Sequence, residues 1–311
     1  MKKIASKNEF DFASIGAGPA GMAAVLYAAR SGLKSLALDF NSGGQALSIA
    51  SLENYPGVFP SVNGFDFINS MRSQAENFGA IFFHANVRAL DKIGSTFFLE
   101  TDKEKFAAKS VLIATGAEHK KLGVPGEKEF SGRGVSYCAT CDGAIFRDKN
   151  VFVIGGGDAA CDEAVYLSAI ARHVTIVHRR DEFRAQKTLE QRVLQNKKIS
   201  VIFDSVVKEI LGEEKVKSIL LENVKTAART NFECDAVFIS IGMKPRTEIF
   251  STLQKDSGGY IITDENMRTK IPRLYAAGDV RAKTLRQIVT AASDGAIAAF
   301  CAANDLHENR S

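Results

Sequence analysis

The chain has 311 residues, enough for two domains at roughly 150 residues each. Hydrophobic residues make up 45% and charged residues 24%, the balance of a soluble globular protein with enough apolar material for two cores and no need of disulfide staples. A net charge of +4, without any Lys/Arg run interleaved with aromatics, argues against nucleic acid as a partner.

No apolar stretch approaches the roughly 18 residues of a membrane helix. The start, Met1 to Glu9, turns polar at once and offers no signal-peptide core, so a cytoplasmic location is expected. Cys161, Cys234 and Cys301 stand alone, which argues against a secreted disulfide framework and leaves Cys138 and Cys141 as the one recognisable pair.

In chain order, an apolar run ending at Ile15 meets Gly16-Ala17-Gly18-Pro19-Ala20-Gly21, then an Ala/Leu-rich stretch from Met22 to Arg30, a stop at Gly32, and a second apolar run ending at Asp39. This predicts strand, glycine turn, helix, strand, a βαβ unit. Gly64 to Phe78 reads as a helix, followed by short strand-like pieces and a buried strand from Ser110 to Ala114 that stops at Thr115-Gly116. The βαβ grammar returns at Val151, with Gly155-Gly156-Gly157, a helix to about Ile170 and the strand Val174 to Val177. Val201 to Phe232 reads as strands and loops, Asp235 to Ser240 as a strand stopping at Gly242, and Leu274 to Asp279 as a strand and turn. A last apolar helix runs from about Gln287 to Ala303. Turns around Gly116 to Gly126 and Gly242 to Pro245 are candidate domain boundaries.

The first glycine motif has the spacing GxGxxG. Such a motif turns the backbone tightly, lets Gly18 approach a pyrophosphate and lets the helix pack on the strand at Gly21, with the phosphates at the helix N-terminus. Asp39 ends the second strand, where an acid binds a ribose hydroxyl. The second motif differs at that place: it carries His178-Arg179-Arg180-Asp181-Glu182-Phe183-Arg184. A carboxylate there would repel a 2′-phosphate, whereas guanidinium groups bind one, so NADP is expected. The alternative is a solvated turn in which Asp181 and Glu182 pair with the arginines.

Cys138-Ala139-Thr140-Cys141 places two sulfurs one helical turn apart, a redox spacing in a chain with two nucleotide sites. Zinc would need two further ligands, and His119, His173 and His178 are scattered, so no metal is expected. Asp142 could protonate a departing thiolate or act as an N-cap.

The string Gly132 to Gly143 resembles the active site of the low-molecular-weight thioredoxin reductases, NADPH-dependent members of the pyridine nucleotide-disulfide oxidoreductases. So do Gly43-Gly44-Gln45, Glu53 to Gly57, His178 to Ala185, and Ala276 to Val280 with Arg286-Gln287, all in the family's order. The resemblance spans nearly the whole chain. It implies an α/β fold of two Rossmann-like dinucleotide-binding domains of the three-layer ββα type. Residues 1–117 and 246–311 would form a discontinuous FAD domain, with an NADPH domain carrying the CxxC inserted at 118–245.

FAD would be contacted by Gly16, Gly18, Pro19, Ala20, Gly21, Asp39, Gly43, Gly44, Gln45, Asn54, Thr115 and Gly116, and from the C-terminal segment by Gly278, Asp279, Arg286, Gln287 and Ile288. NADPH would be contacted by Gly155, Gly157, Asp158, Ala159, His178, Arg179, Arg180 and Arg184. The implied activity is thioredoxin-disulfide reduction by a homodimer. Electrons would pass from NADPH to FAD, to the Cys138–Cys141 disulfide and then to thioredoxin, with Cys141 facing the flavin and Cys138 exchanging with the substrate. Because the NADPH fingerprint and the cysteine pair share one inserted segment, that segment is expected to swing between two orientations. Two residues depart from the family pattern: Asp158 stands where Asn is common, an added negative charge near the pyrophosphate, and Ser293 replaces a frequent Gly. A reductase feeding another small dithiol or a peroxiredoxin-system partner is the alternative; such enzymes usually carry an extra N-terminal thioredoxin-like module.

Overall fold

A computed structural model describes residues 8–40, 43–49, 52 and 54–307. Glu53 of the expected flavin motif and the polar start through Lys7 lie outside the described residues. The chain divides into two compact units, Met1–Glu118 with Lys244–Ser311, and His119–Met243.

Unit 1 begins with β1 (Glu9–Ile15), α1 (Pro19–Arg30) and β2 (Ser35–Leu38), the expected βαβ. It continues through α2 (Gly64–Asn77), β3 (Ile81–Phe83), β4 (Val87–Ile93), β5 (Thr96–Thr101) and β6 (Lys105–Ile113). The chain leaves through β7 (Ala117–His119).

Unit 2 holds β8 (Val135–Ser136), the short helix α3 (Ala139–Asp142), β9 (Asn150–Ile154), α4 (Asp158–Ser168), β10 (His173–Val177), α5 (Lys187–Gln195) and β11 (Ile199–Ile202). It then forms β12 (Ser205–Gly212), β13 (Val216–Asn223), β14 (Arg229–Glu233) and β15 (Ala236–Ile239). The return passes through β16 (Met243–Pro245), which pairs with β7 as a two-stranded ribbon. Unit 1 closes with β17 (Leu274–Ala276) and α6 (Ile288–His307).

In unit 1 the strand order is β3-β2-β1-β6-β5-β4, and β17 also pairs with β6. The nine-residue β6 forks: its first half pairs antiparallel with β5 (Glu100↔Lys105), its second half parallel with β17 (Leu274↔Val111). Alternation across the sheet separates two cores. Phe12, Ala37, Leu112 and Tyr275 face α1, α2 and α6. Ala13, Leu36, Val111 and Ile113 face the opposite side, toward Phe97, Leu99 and the loop residues Phe250, Leu253 and Ile261. Burial on both faces is why these strands read as unbroken apolar runs. Gly295 of α6 lies so close to α1 that a Cβ there would sit 2.0 Å from the Ala20 carbonyl oxygen.

Unit 2 repeats the plan with sheet order β11-β10-β9-β15-β8. Val151, Val153, Val174, Ile176, Ala236 and Phe238 pack on α4 and α5. Phe152, Ile154, Val237 and Ile239 pack on the antiparallel sheet β12-β13-β14 through residues such as Val207, Ile219 and Leu221. Helices, parallel sheet and antiparallel sheet thus make the expected three layers.

Candidate functional sites

In unit 1 the expected flavin residues converge at the carboxyl ends of β1, β6 and β17, where open α/β sheets bind ligands. Gly16 turns at φ +102, and a Cβ there would lie 2.4 Å from the Ala114 carbonyl oxygen. A Cβ on Gly21 would lie 2.0 Å from the Gly16 carbonyl oxygen, so both glycines are required by close approach. Gly18, before the first turn of α1, has a different environment: the nearest atom to a Cβ there is Gly43 O at 3.8 Å. Gly44, at φ +69, lies beside it, with Gly18 Cα 3.8 Å from its would-be Cβ. Pro19 opens the helix, which has no acid in its first turn. Asp39 follows β2 and is held through its backbone, its N–H donating to Phe83 O at 3.1 Å.

Several of the remaining expected residues are held in place by hydrogen bonds, and two of them, Asn54 and Gln287, by one to each other. Gln45 donates to the Ala117 carbonyl, Thr115 Oγ1 donates to Arg246 O at 2.7 Å, and the Arg246 N–H donates to Gly116 O at 3.0 Å. Asn54 Nδ2 donates to Gln287 Oε1 at 3.1 Å, joining two segments far apart in sequence. The Arg286 guanidinium lies 4.0 Å from the Tyr260 ring centroid. Ile288 begins α6.

The turn Gly278-Asp279-Val280 rests on a group that the sequence reading missed. Asp294 of α6 is buried and accepts from the Gly278 N–H (3.0 Å), Lys283 Nζ (2.8 Å) and Arg281 Nη1 (3.3 Å). An acid set among alanines in the first half of the helix was the available signal. Ser293, by contrast, is exposed on α6 and lines a surface cavity of about 500 Å³ with Tyr27, Tyr55 and Val289.

In unit 2, Cys138 and Cys141 form a disulfide with Cα atoms 5.3 Å apart, both half-buried. Cys138 precedes α3, whose start has no side-chain cap. The N-cap role for Asp142 is therefore not realised; its Oδ2 instead accepts from Ser136 Oγ at 2.6 Å. The same Ser136 Oγ accepts from the Cys138 N–H at 3.1 Å, so one serine at the end of β8 links the acid to the pair. Thr140 Oγ1 lies 3.4 Å from Cys138 Sγ.

The second glycine turn follows β9. Gly155, at φ +154, would place a Cβ 2.3 Å from the Ser240 carbonyl oxygen, while Gly157 has nothing within 4 Å. Gly156 has another purpose: its missing Cβ makes room for the His178 ring, which would lie 2.3 Å away. His178 is buried, stacks on Phe183, and is held below the usual imidazole range by burial, with Arg180 and Arg179 adding to it. Asp158 begins α4 and Ala159 follows it, both exposed. Arg179, Arg180 and Arg184 are exposed, and among the described residues none of them makes an ion pair, because Asp181 is taken by Lys225 Nζ at 3.2 Å. The solvated-turn alternative, in which Asp181 and Glu182 would pair with the arginines, is not what forms: among the described residues neither acid makes an ion pair with them.

Two dinucleotide folds and a disulfide closed between cysteines three residues apart narrow the chemistry, and known proteins agree. The pyridine nucleotide-disulphide oxidoreductase profile matches residues 10–295. Thioredoxin reductase of Treponema pallidum is 50% identical over 299 residues, covering 96% of this chain and 97% of that protein. The chain belongs to the pyridine nucleotide-disulphide oxidoreductases, among its thioredoxin reductases. Thioredoxin reductase of Listeria innocua is 47% identical over 93% of this chain and 91% of its own length. The crystal structure of thioredoxin reductase from Streptococcus pyogenes superposes with a TM-score of 0.92 at 46% identity, over 97% of this chain and 100% of that one. The chain is accordingly an NAD(P)H-dependent flavin oxidoreductase, and its family uses FAD and NADPH.

The residues present fit both cofactors. In unit 1 the Asp279 Oδ1 and Arg286 Nε atoms are buried without a hydrogen-bond partner. Burial raises the Asp279 carboxyl above its ordinary range, opposed by Lys283 and Arg286. Buried polar groups require partners, and a polyhydroxylated ligand supplies them. The open faces of Gly18 and Gly44 leave room that a pyrophosphate would fit. In unit 2 the buried His178 Nε2 likewise lacks a partner, Gly157 leaves an open face, and three guanidinium groups remain available to a phosphate. Among the described residues no helix is long and apolar enough to cross a membrane.

Proposed function

We propose that the chain is a cytoplasmic thioredoxin-disulfide reductase, with FAD on unit 1 and NADPH on unit 2. When bound, FAD relays two electrons from NADPH to a neighbouring disulfide. On unit 1, Asp279 and Arg286 would orient the flavin's polyol chain, Asp39 the adenosine ribose, and Gly18 with Gly44 the pyrophosphate. On unit 2, Arg179, Arg180 and Arg184 would clamp the 2′-phosphate, with Gly155, Gly157 and Ala159 at the coenzyme's pyrophosphate and His178 beside it.

The observation that carries the reading is the Cys138–Cys141 disulfide on the same unit as the arginine loop. Once the pair is reduced, the Cys138 thiolate attacks one sulfur of the partner's disulfide and the other sulfur leaves as a thiolate. Asp142, steadied by Ser136, is placed to hold the proton for that leaving sulfur. The Cys141 thiolate then attacks Cys138, which restores the disulfide and releases the second thiolate of the partner. We further propose that unit 2 moves as a body during turnover, since it carries both the coenzyme site and the pair. A homodimer also belongs to this reading.

The test is steady-state turnover with NADPH and with NADH, with oxidised thioredoxin present and absent. NADPH consumption should require thioredoxin and yield its dithiol stoichiometrically. NADPH consumption that merely reduces oxygen, with thioredoxin untouched, overturns the assignment. Sedimentation equilibrium should give twice the chain mass.

A further inference from the structure

We propose that Asp158 is a positioning residue for coenzyme selection: it fixes the loop that carries the three arginines. The inference rests on the reading of unit 2 as the NADPH site and deepens it.

On sequence alone, an acid at the first position of α4 is a second negative charge beside a pyrophosphate. The structure turns that carboxylate elsewhere. Its Oδ1 accepts the backbone N–H of Gln186 at 2.7 Å, and its Oδ2 lies 3.4 Å from Gln186 Nε2. Gln186 is the residue immediately before α5, and it ends the loop that starts at His178. That loop is pinned elsewhere as well. The His178 N–H donates to Ile202 O at 2.9 Å and the Arg184 N–H to Gly156 O at 2.7 Å, while Phe183 is buried in the core beneath α4.

Asp158 supplies the last anchor, two residues beyond Arg184. Without it, the backbone from Ala185 onward would be free to drift from the glycine turn, and Arg184 with it. The carboxylate is also favourably placed, because it lies in the first turn of α4, where free N–H groups stabilise an anion. Asp158 therefore costs the phosphates little and keeps the guanidinium groups in register with a 2′-phosphate.

The experiment uses the oxidised holoenzyme and two probes, 2′,5′-ADP and 5′-AMP, measured by calorimetry beside steady-state kinetics. An exposed bond that acts through the loop and not on the ligand should be worth about a fivefold change, the net value of an ordinary hydrogen bond. Asp158→Ala should weaken 2′,5′-ADP by about that factor and raise KM for NADPH similarly. The readout is the ratio of the two probes: the loss for 2′,5′-ADP should exceed that for 5′-AMP by about that factor, and KM for NADPH should rise more than KM for NADH. Asp158→Asn keeps a carbonyl acceptor for the Gln186 N–H and should retain most of the wild-type affinity. Gln186→Pro deletes that donor at a backbone φ of −59 that proline accepts, and should reproduce Asp158→Ala. The double variant should be no worse than either single one.

If Asp158→Ala tightens both probes, the acid acts as a repulsive charge and the proposal fails. It fails equally if 2′,5′-ADP binding is unchanged, or if Asp158→Asn behaves like Asp158→Ala. A wild-type enzyme that binds 5′-AMP as tightly as 2′,5′-ADP would instead refute the NADPH reading itself.

Discussion

Asp294 offers the sharpest test of how unit 1 holds the turn Gly278-Asp279-Val280. Its side chain is 9% exposed, that of Lys283 8% and that of Arg281 14%, so the group is an ionic cluster inside the protein. Asp294→Ala strands the Lys283 ammonium, bonded at 2.8 Å in the native protein, and the Gly278 N–H. Removing one partner of a buried pair costs about 3–5 kcal/mol. The Asp279 carboxylate is close enough to Lys283 to offset part of that loss. The lower end, about 3 kcal/mol, is therefore the expected cost. The assay is urea unfolding followed by flavin fluorescence, which reports on unit 1 if FAD binds there. Asp294→Ala should unfold at lower urea and release FAD at lower temperature. Adding Lys283→Met to Asp294→Ala should recover at least about 1 kcal/mol, because the stranded charge is gone. If Asp294→Ala loses less than about 1 kcal/mol and keeps its flavin as wild type does, the cluster is not what supports the turn.

Other consequences are open to direct measurement. Charge-assisted bonds from two arginines, at about 1.5–3 kcal/mol each, imply that Arg179→Ala/Arg180→Ala loses on the order of a hundredfold in kcat/KM for NADPH with NADH turnover unchanged. Equal losses with both coenzymes would count against 2′-phosphate recognition. Cys138→Ser and Cys141→Ser should each abolish thioredoxin reduction while flavin reduction by NADPH persists; a Cys138→Ser enzyme with near wild-type turnover would refute the exchange scheme. Burial pushes the Glu163 carboxyl from its usual 4.5 to about 7, opposed by a hydrogen bond with Ser240. A carboxyl raised in this way favours the folded state below its unfolded value, and that contribution fades as the pH climbs through about 7. Between pH 5 and 8, Tm should fall more steeply for wild type than for Glu163→Gln, and parallel curves would disprove the shift.

Much of the fold was legible because both sheets are buried on two faces. Val111, Leu112 and Ile113 send alternate side chains into different cores, so an unbroken apolar run flanked by glycine marked the strand. The helix α5 was not anticipated: Lys187 to Gln195 buries only Val193 fully, and its polar surface hides the period. The site divides along the same line. Glycine turns and the cysteine pair are local in sequence and could be read there. The bonds Asp294 to Lys283, Asp158 to Gln186, and Ser136 to Asp142 depend on where tertiary packing delivers each side chain, and no spacing rule announces them.

The triple glycine shows how one turn can serve two purposes. In unit 1, Gly16 and Gly21 are demanded by backbone contacts, and Gly18 keeps a face open beside Gly43 and Gly44. In unit 2, Gly155 is demanded by Ser240 O and Gly157 keeps the open face, so those two glycines already cover the turn and the phosphate approach. The third, Gly156, answers to His178, whose ring fills the space that a Cβ would need. The Gly156 carbonyl then accepts the Arg184 N–H, so the same residue seats the imidazole and fastens the arginine loop. Where unit 1 ends its second strand with an acid, unit 2 ends it with an imidazole folded over the turn and arginines beyond it. On the proposed reading of unit 2, coenzyme choice would therefore rest on the glycine loop itself as well as on the charges that follow it.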